Sequence, residues 1–260
     1  MIEILPICAF SDNYIWAITD HERVVVVDPG DATPVLEFIE KRNLSLAGII
    51  VTHYHPDHIA GIGQLINTYP DIPVWSPANE TVPHSTESLK EGDSISLPIG
   101  NISLDVLDVP AHTAGHIAYT GTLPGGQPIL FSGDTLFSSG CGRLFEGTAE
   151  QMLNAMKKLS ALPDNTLVYC THEYTLSNLA FAMTVEPENI EIQQRTLEVT
   201  ALRDQNTPTI PCWLGSEKKV NPFLRWDSPQ LKYTVEDWAD EKLDDDISIF
   251  AAIRRWKDVF

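Results

Sequence analysis

Hydrophobic and polar residues alternate along the first two-thirds of the chain in a pattern that predicts strands separated by helices. The unbroken valine run at 24–27 is typical of a strand buried on both faces. Predicted strands lie at 2–7, 14–19, 24–27, 46–51, 72–75, 95–97, 102–109, 117–120, 129–132 and 167–169.

Helix starts are marked by capping residues. Thr33 as an N-cap and Pro34 at the first helical position predict a helix that runs to about residue 43. Thr148 and Gln151 form a capping box for a second helix with apolar residues on one side. Other helical patterns lie at 59–69, 176–183, 188–205 and 248–256.

The pattern changes near residue 173, because no strand is predicted beyond Cys170. We therefore predict an α/β domain at 1–172 and a smaller all-helical domain at 173–260. Helices that flank strands on both sides predict a layered sheet structure covered by helices.

Composition limits the partners of the chain. It has 260 residues with a net charge of −19 and a pI near 4.6. Such a charge repels phosphate backbones and anionic lipid heads, so we expect no nucleic acid and no membrane partner. An anionic small molecule would need a local basic patch.

Other sequence features predict a cytoplasmic protein. The first residues form no signal peptide, and no run of about 18 apolar residues could span a membrane. The four cysteines show no CxxC spacing and are interpreted as free thiols in a reducing compartment. The working expectation is a monomer.

The segment THYHPDH at 52–58 concentrates metal-binding residue types directly after a predicted buried strand. Residues two apart on an extended chain point the same way, so His53 and His55 can converge on one ion. Asp57 and His58 follow a proline turn and can face a second ion. Imidazoles with a few carboxylates bind divalent ions such as zinc. The alternative is a histidine-rich surface loop, which the position at a strand end disfavours.

Three further candidates each follow another predicted strand: His112, Asp134 and His172. Strand ends at one edge of a sheet can form one pocket. His116 could also contribute, but a structural or supporting role is favoured over direct ligation. We interpret His21 and His84 as surface residues.

These motifs resemble the ligand set of the metallo-β-lactamase superfamily. The resemblance implies a four-layer αββα fold with two divalent metal ions, with zinc favoured and iron or manganese as alternatives. It implies one ion at His53, His55 and His112, a second at Asp57, His58 and His172, and Asp134 as the bridge between them.

Four flanking segments resemble the glyoxalase II, or hydroxyacylglutathione hydrolase, family within this superfamily. They are CGRLFEGT at 141–148, HEYTLSNL at 172–179, KKVNPFLR at 218–225 and RRWKD at 254–258. The resemblance implies that Arg143, Tyr174, Arg254 and Lys257 bind glutathione. Phe145 departs from the tyrosine of some relatives, so no hydroxyl contact is carried over there.

The basic residues near the C-terminus have a second interpretation. Arg254 and Lys257 share one helix face, which could simply be solvated; the motif matches favour substrate binding. For Lys218 and Lys219 the two interpretations remain equally open.

The activity that the family implies is hydrolysis of S-D-lactoylglutathione to D-lactate and glutathione, the detoxification of methylglyoxal. A metal-bridging hydroxide would be the nucleophile, with Asp57 and Asp134 keeping the metals together and orienting it. The main alternative is a persulfide dioxygenase of the same fold with one iron. A β-lactamase, a nuclease and a non-catalytic metal-binding module are less favoured.

Overall fold

Two six-stranded sheets form the frame of the protein in the computed structural model, which describes residues 2–260. The first sheet has the order β1-β2-β3-β4-β5-β6. Its strands are β1 (Glu3–Ala9), β2 (Asn13–Thr19), β3 (Arg23–Val27), β4 (Ser45–Ile50), β5 (Val74–Pro77) and β6 (Glu87–Leu89).

The second sheet has the order β14-β13-β10-β9-β8-β7, and a separate two-stranded hairpin pairs β11 with β12. These strands are β7 (Ser94–Ser96), β8 (Ser103–Asp108), β9 (Ile117–Thr122), β10 (Pro128–Gly133), β11 (Leu136–Phe137), β12 (Gly140–Cys141), β13 (Leu167–Cys170) and β14 (Cys212–Trp213).

Side-chain alternation along the strands explains how the sheets pack. Val24 and Val26 join an apolar cluster with residues of α1 and α3, whereas Val25 and Val27 join the larger cluster that contains the second sheet. All four valines are buried, as the valine run predicts. The first sheet therefore lies between helices and the second sheet, in agreement with the predicted layering.

Nine α-helices complete the described chain, with one 3-10 turn at Pro222–Leu224. They are α1 (Ala32–Arg42), α2 (Pro56–Ile59), α3 (Ile62–Thr68), α4 (Ala149–Ser160), α5 (Thr175–Val185), α6 (Ile190–Asp204), α7 (Leu214–Val220), α8 (Pro229–Ala239) and α9 (Asp246–Val259). None of the helices within residues 2–260 is long and apolar enough to cross a membrane.

Capping residues were predicted correctly in one helix and incorrectly in another. The capping box of Thr148 and Gln151 is present at the start of α4. The N-cap of α1 is Asp31 rather than Thr33, because the Asp31 carboxylate accepts the backbone N–H of Thr33 at 2.8 Å. An aspartate two residues earlier is an equally good cap and shifts the helix start.

The prediction of no strand after Cys170 is wrong. Strand β14 pairs antiparallel with β13 and forms the edge of the second sheet. Two residues are too few to display an alternating pattern, so this strand leaves no sequence signal. The C-terminal part is thus mainly, but not entirely, helical.

Candidate metal centre

The predicted ligands lie close together, and each follows the end of one of four strands. The segment 52–58 follows β4, Asp134 follows β10 and His172 follows β13. His112 lies in the turn between β8 and β9. The ligand atoms of these segments form three overlapping groups in which all atoms lie within 4.8 Å of one another.

Three imidazoles form the first group. Nδ1 of His55 lies 3.1 Å from Nε2 of His53 and 3.1 Å from Nε2 of His112. His53 and His112 are buried, whereas His55 is partly exposed toward a cavity. These are the three residues assigned to one ion from the sequence.

Asp57, His58 and His172 form the second group. Oδ2 of Asp57 lies 3.5 Å from Nε2 of His58 and 3.4 Å from Nε2 of His172. The structure thus brings together the second predicted set as well.

The Asp134 carboxylate lies between the two groups. Its Oδ2 is 3.4 Å from Nε2 of His112 and 3.4 Å from Nε2 of His172, and its Oδ1 is 3.5 Å from Nε2 of His58. The carboxylate thus lies within reach of both groups.

The outer nitrogens of three histidines face oxygen acceptors. Nδ1 of His112 donates to the carbonyl of Arg143 at 3.0 Å, and Nδ1 of His172 donates to Asp12 at 2.7 Å. Nδ1 of His58 lies 3.0 Å from Oδ2 of Asp28, but the two atoms do not have hydrogen-bond geometry. An N–H directed outward leaves the Nε2 lone pair free to bind a metal, which is the usual arrangement of metal-binding histidines.

Two observations indicate that the residues fit divalent metal ions. Ligand atoms about 2.1 Å from a tetrahedral ion stand about 3.4 Å apart, close to the separations found here. In addition, Nε2 of His58 and Oδ1 of Asp134 are buried without a hydrogen-bond partner. Buried polar atoms rarely remain unpaired unless another group, such as an ion, satisfies them.

The local electrostatics favour a cation at the same place. Burial lowers the pKa of His53, His55 and His112, which keeps these imidazoles neutral and able to ligate. Burial would also raise the pKa of Asp134, but His58 and His172 outweigh it and hold that pKa well below its usual range. The first histidine group and the ionised Asp134 therefore form a donor set that suits zinc and iron. For His58 and His172, neighbouring carboxylates outweigh burial and raise the pKa of the imidazole.

His116 supports the site without joining the ligand groups. Its Nε2 accepts the backbone N–H of Asp134 at 3.0 Å, and its ring stacks on His53 at 4.6 Å. Gly133 makes this approach possible, because its φ is +50° and a Cβ there would lie 2.7 Å from the His116 ring.

A cavity of about 730 Å³ extends from the ligand groups to the C-terminal helices. Its lining includes His55, Asp134 and His172 together with Arg143, Tyr174 and Lys257. Its volume is within the range that holds small-molecule ligands.

Tyr174 and Phe145 are the aromatic residues of this cavity nearest to the histidines. The Tyr174 ring stacks on His172 with centroids 4.7 Å apart and an interplanar angle of 4°. The Phe145 ring meets His112 edge-on at 5.2 Å and is 61% exposed. An exposed apolar ring at this point offers a contact surface but no hydrogen bond.

Two cations of the cavity differ in environment. Arg143 is exposed, whereas Lys257 is partly buried and donates to the carbonyl of Ser177 at 3.1 Å. Burial and the nearby Arg254 and Arg143 lower the pKa of Lys257 to about 8.

Arg254 does not line the cavity. It is 4% exposed, donates to Asp258 and to the carbonyl of Cys141, and its guanidinium lies 5.0 Å from the centre of the Phe223 ring. Asp258 and Cys141 both line the cavity, so Arg254 contacts two residues of the cavity wall without lining the cavity itself.

The remaining candidates lie elsewhere. Lys218 pairs with Asp164 at 2.5 Å, and Lys219 lies 3.7 Å from Glu191; neither lines the cavity. His21 and His84 are exposed.

Sequence reasoning missed Asp12, Asn13 and Asp28. Asn13 donates to Asp57 at 3.0 Å, while Asp12 and Asp28 contact His172 and His58. These residues lie in or beside strands of the first sheet, far from the ligands in sequence. Only the position of Asp28 directly after the valine strand could have indicated that it faces the site.

Two family models match adjacent parts of the chain. Residues 10–172 match the metallo-beta-lactamase superfamily, and residues 173–260 match the hydroxyacylglutathione hydrolase C-terminus. A hydroxyacylglutathione hydrolase from Photobacterium profundum is 51% identical over 261 residues, covering 100% of both chains. Another from Nitrosomonas eutropha is 48% identical over 260 residues, again covering 100% of both.

Solved structures share the fold at lower identity. ETHE1 from Myxococcus xanthus has a TM-score of 0.63 and 23% identity, covering 100% of this chain and 99% of that one. The BLEG-1 B3 metallo-beta-lactamase has a TM-score of 0.61 and 22% identity, and the match covers 86% of this chain and 99% of that one. These likenesses confirm the predicted metallo-β-lactamase fold.

Proposed function

The chain belongs to the hydroxyacylglutathione hydrolase family, and on that premise we propose that it hydrolyses S-D-lactoylglutathione to D-lactate and glutathione. One observation carries the proposal: a single cavity joins a histidine and aspartate metal centre to Arg143 and Lys257. A thioester could therefore reach the metal ligands while its anionic glutathione part contacts the cations.

His53, His55 and His112 would hold one divalent ion, and Asp57, His58 and His172 would hold the second. Asp134, whose two oxygens face both groups, would bridge the pair. Bound metal ions would supply hydroxide near neutral pH and polarise the thioester carbonyl. Zinc is proposed for both positions, and iron or manganese would suit the same donors.

The protein contributes orientation at the reacting end. Asn13 holds the Asp57 carboxylate, and the His116 ring accepts the backbone N–H of Asp134, so the Asp57 side chain and the Asp134 backbone are fixed before substrate arrives. Groups fixed in advance need no reorganisation during the reaction, which lowers its barrier.

Binding of glutathione would depend on two cations and one aromatic residue of the cavity. Lys257 and Arg143 offer positive charge for its carboxylates, and the exposed edge of Tyr174 offers a contact surface for its backbone. These local cations counter the net charge of −19, which would otherwise repel an anion. Arg254 was expected to bind substrate directly; its present contacts support an indirect contribution through Asp258 and Cys141.

The leaving thiolate needs little assistance. An ordinary thiol has a pKa of about 8.5, so the carbon–sulfur bond can break without a strong general acid. This requirement agrees with a cavity whose carboxylates near the reacting end, Asp57 and Asp134, are both assigned to metal.

The persulfide dioxygenase alternative is not adopted. Relatives that match the whole chain at 51% and 48% identity are named hydroxyacylglutathione hydrolase. The match of 173–260 to the C-terminal family model also favours the hydrolase.

The free thiols of the described chain, the acidic surface and the small cavity support a cytoplasmic monomer that acts on a small molecule.

The decisive experiment measures hydrolysis of S-D-lactoylglutathione by purified protein before and after chelation, with metal analysis of the same samples. Turnover that is lost on chelation and restored by zinc supports the proposal. Oxygen consumption with glutathione persulfide, and no thioester cleavage, would overturn it.

A further inference from the structure

The hairpin formed by β11 and β12, residues 136–141, connects the metal centre to the substrate cavity. Asp134 lies two residues before the hairpin, and Arg143 lies two residues after it. Any shift of the hairpin would therefore move the start of the segment that carries Arg143.

Glu217 on α7 makes two hydrogen bonds to the tip of this hairpin. Its Oε1 accepts the hydroxyl of Ser138 at 3.0 Å, and its Oε2 accepts the backbone N–H of Ser139 at 2.6 Å. Glu217 is fully buried, and Ser139 has a φ of +58°, an unusual conformation that these contacts help to hold.

Other side chains from beyond residue 172 hold the carbonyls of the hairpin. Asn221 donates to the carbonyls of Phe137 and Gly140 at 3.1 and 2.9 Å and also lies 3.3 Å from Oε2 of Glu217. Asn178 donates to the carbonyl of Ser138 at 3.0 Å. The C-terminal part thus fixes both the N–H and the C=O groups of the turn.

The segment after the hairpin contacts both parts of the proposed active site. The carbonyl of Arg143 accepts Nδ1–H of His112 at 3.0 Å, and its side chain lines the cavity. Asp134 is anchored in the N-terminal part as well, because its backbone N–H is bonded to His116. Its carboxylate also contacts His58, His112 and His172, so a loosened hairpin should disturb the Arg143 side chain more than the Asp134 side chain.

We propose that Glu217 is a positioning residue for substrate binding: it fixes the Ser138–Ser139 turn and thereby the place of Arg143 in the cavity. This inference rests on the proposed glutathione thioester hydrolase activity. Glu217 touches neither substrate nor metal ligand, and its effect passes through the hairpin.

Two substitutions test the contact. In Glu217→Gln, one acceptor oxygen becomes a donor NH2 facing other donors, and Ser138→Ala removes only the hydroxyl. We expect KM for S-D-lactoylglutathione to rise on the order of tenfold in Glu217→Gln, because a displaced Arg143 loses binding that is equal in the ground state and the transition state. Ser138→Ala should cause a smaller rise. KM for the lactoyl thioester of N-acetylcysteamine, which lacks the glutathione carboxylates, should stay unchanged.

Hydrogen–deuterium exchange of the peptide 136–143 reports the hairpin independently of catalysis and should speed up in both variants. Glu186→Gln is the matched control, because Glu186 is also buried in the C-terminal part but pairs with Arg225 away from the hairpin. Glu186→Gln should leave the exchange of 136–143 and both KM values unchanged.

Unchanged exchange, unchanged KM for the glutathione thioester, or equal effects in Glu186→Gln would each overturn the positioning role. If the unsubstituted protein cleaves no glutathione thioester, the proposed function fails instead, while the exchange data still report whether Glu217 holds the hairpin.

Discussion

Asp12 accepts the Nδ1–H of His172 at 2.7 Å across 160 residues of sequence. The contact joins the loop before β2 to the end of β13, and the backbone N–H of Glu173 also donates to the Asp12 carbonyl. The loop therefore orients His172, a proposed metal ligand, through both a side chain and the main chain.

Loss of this carboxylate should weaken metal binding. We expect Asp12→Ala to lower zinc affinity about 10- to 100-fold, the usual cost of removing the acceptor that orients a metal-binding histidine. Competition with a zinc chelator measures the change. Ser11→Ala is the neighbouring control, because Ser11 contacts only Oδ2 of Asp12, and it should retain nearly all affinity.

The assignment of Asp134 and His55 as metal ligands predicts a larger loss of metal than that expected for Asp12→Ala. Asp134→Ala and His55→Ala should each lose bound metal and lower turnover by at least ~10²-fold, because the electrostatic stabilisation of the reaction is lost with the metal. Metal analysis and thioester turnover test both variants. His84→Ala removes an exposed histidine and should behave like the unsubstituted protein; full metal content in Asp134→Ala would contradict the bridging role.

Lys257 should act mainly on substrate affinity. Replacing it with methionine keeps much of the apolar stem near Phe181 and Phe260 but removes the charge. We expect KM for S-D-lactoylglutathione to rise roughly three- to tenfold with kcat little changed, as for loss of uniform binding. Lys242→Met makes the same charge change at an exposed position outside the cavity and should not alter KM.

The lowered pKa of Lys257 predicts that KM for S-D-lactoylglutathione depends on pH. The pKa of Lys257 is lowered to about 8, so the side chain is cationic below pH 8 and neutral above it. Binding of a carboxylate needs the cationic form, and KM should thus rise as pH increases through about 8. Steady-state kinetics from pH 7 to 9 test this, and the rise should be smaller in Lys257→Met. Identical pH profiles for the two proteins would exclude Lys257 as the cause.

The structure brings together the residues that the sequence proposes as metal ligands, because their chemical types are distinctive and each follows a strong strand signal. His53, His55 and Asp134 could be recognised without knowledge of the fold. Asp12 could not, because an aspartate in a polar turn has many uses and its partner lies 160 residues away. Its role depends on tertiary contacts that no local pattern encodes.

Arg254 illustrates a different limit. Its spacing from Lys257 on a helix correctly predicts a shared general direction, but a helical turn does not specify which side chain reaches a cavity. Arg254 is buried against Phe223 and pairs with Asp258, so it does not line the cavity.

Short strands such as β14 were missed because two residues are too few to show a periodic pattern.

Strand β14 has a consequence for protein engineering. It covers β13, the strand that leads to His172, so a fragment ending at residue 172 would present β13 as a bare edge. Grafting a foreign tail onto residues 1–172 would consequently require a substitute edge strand, and a fragment without one should tend to self-associate.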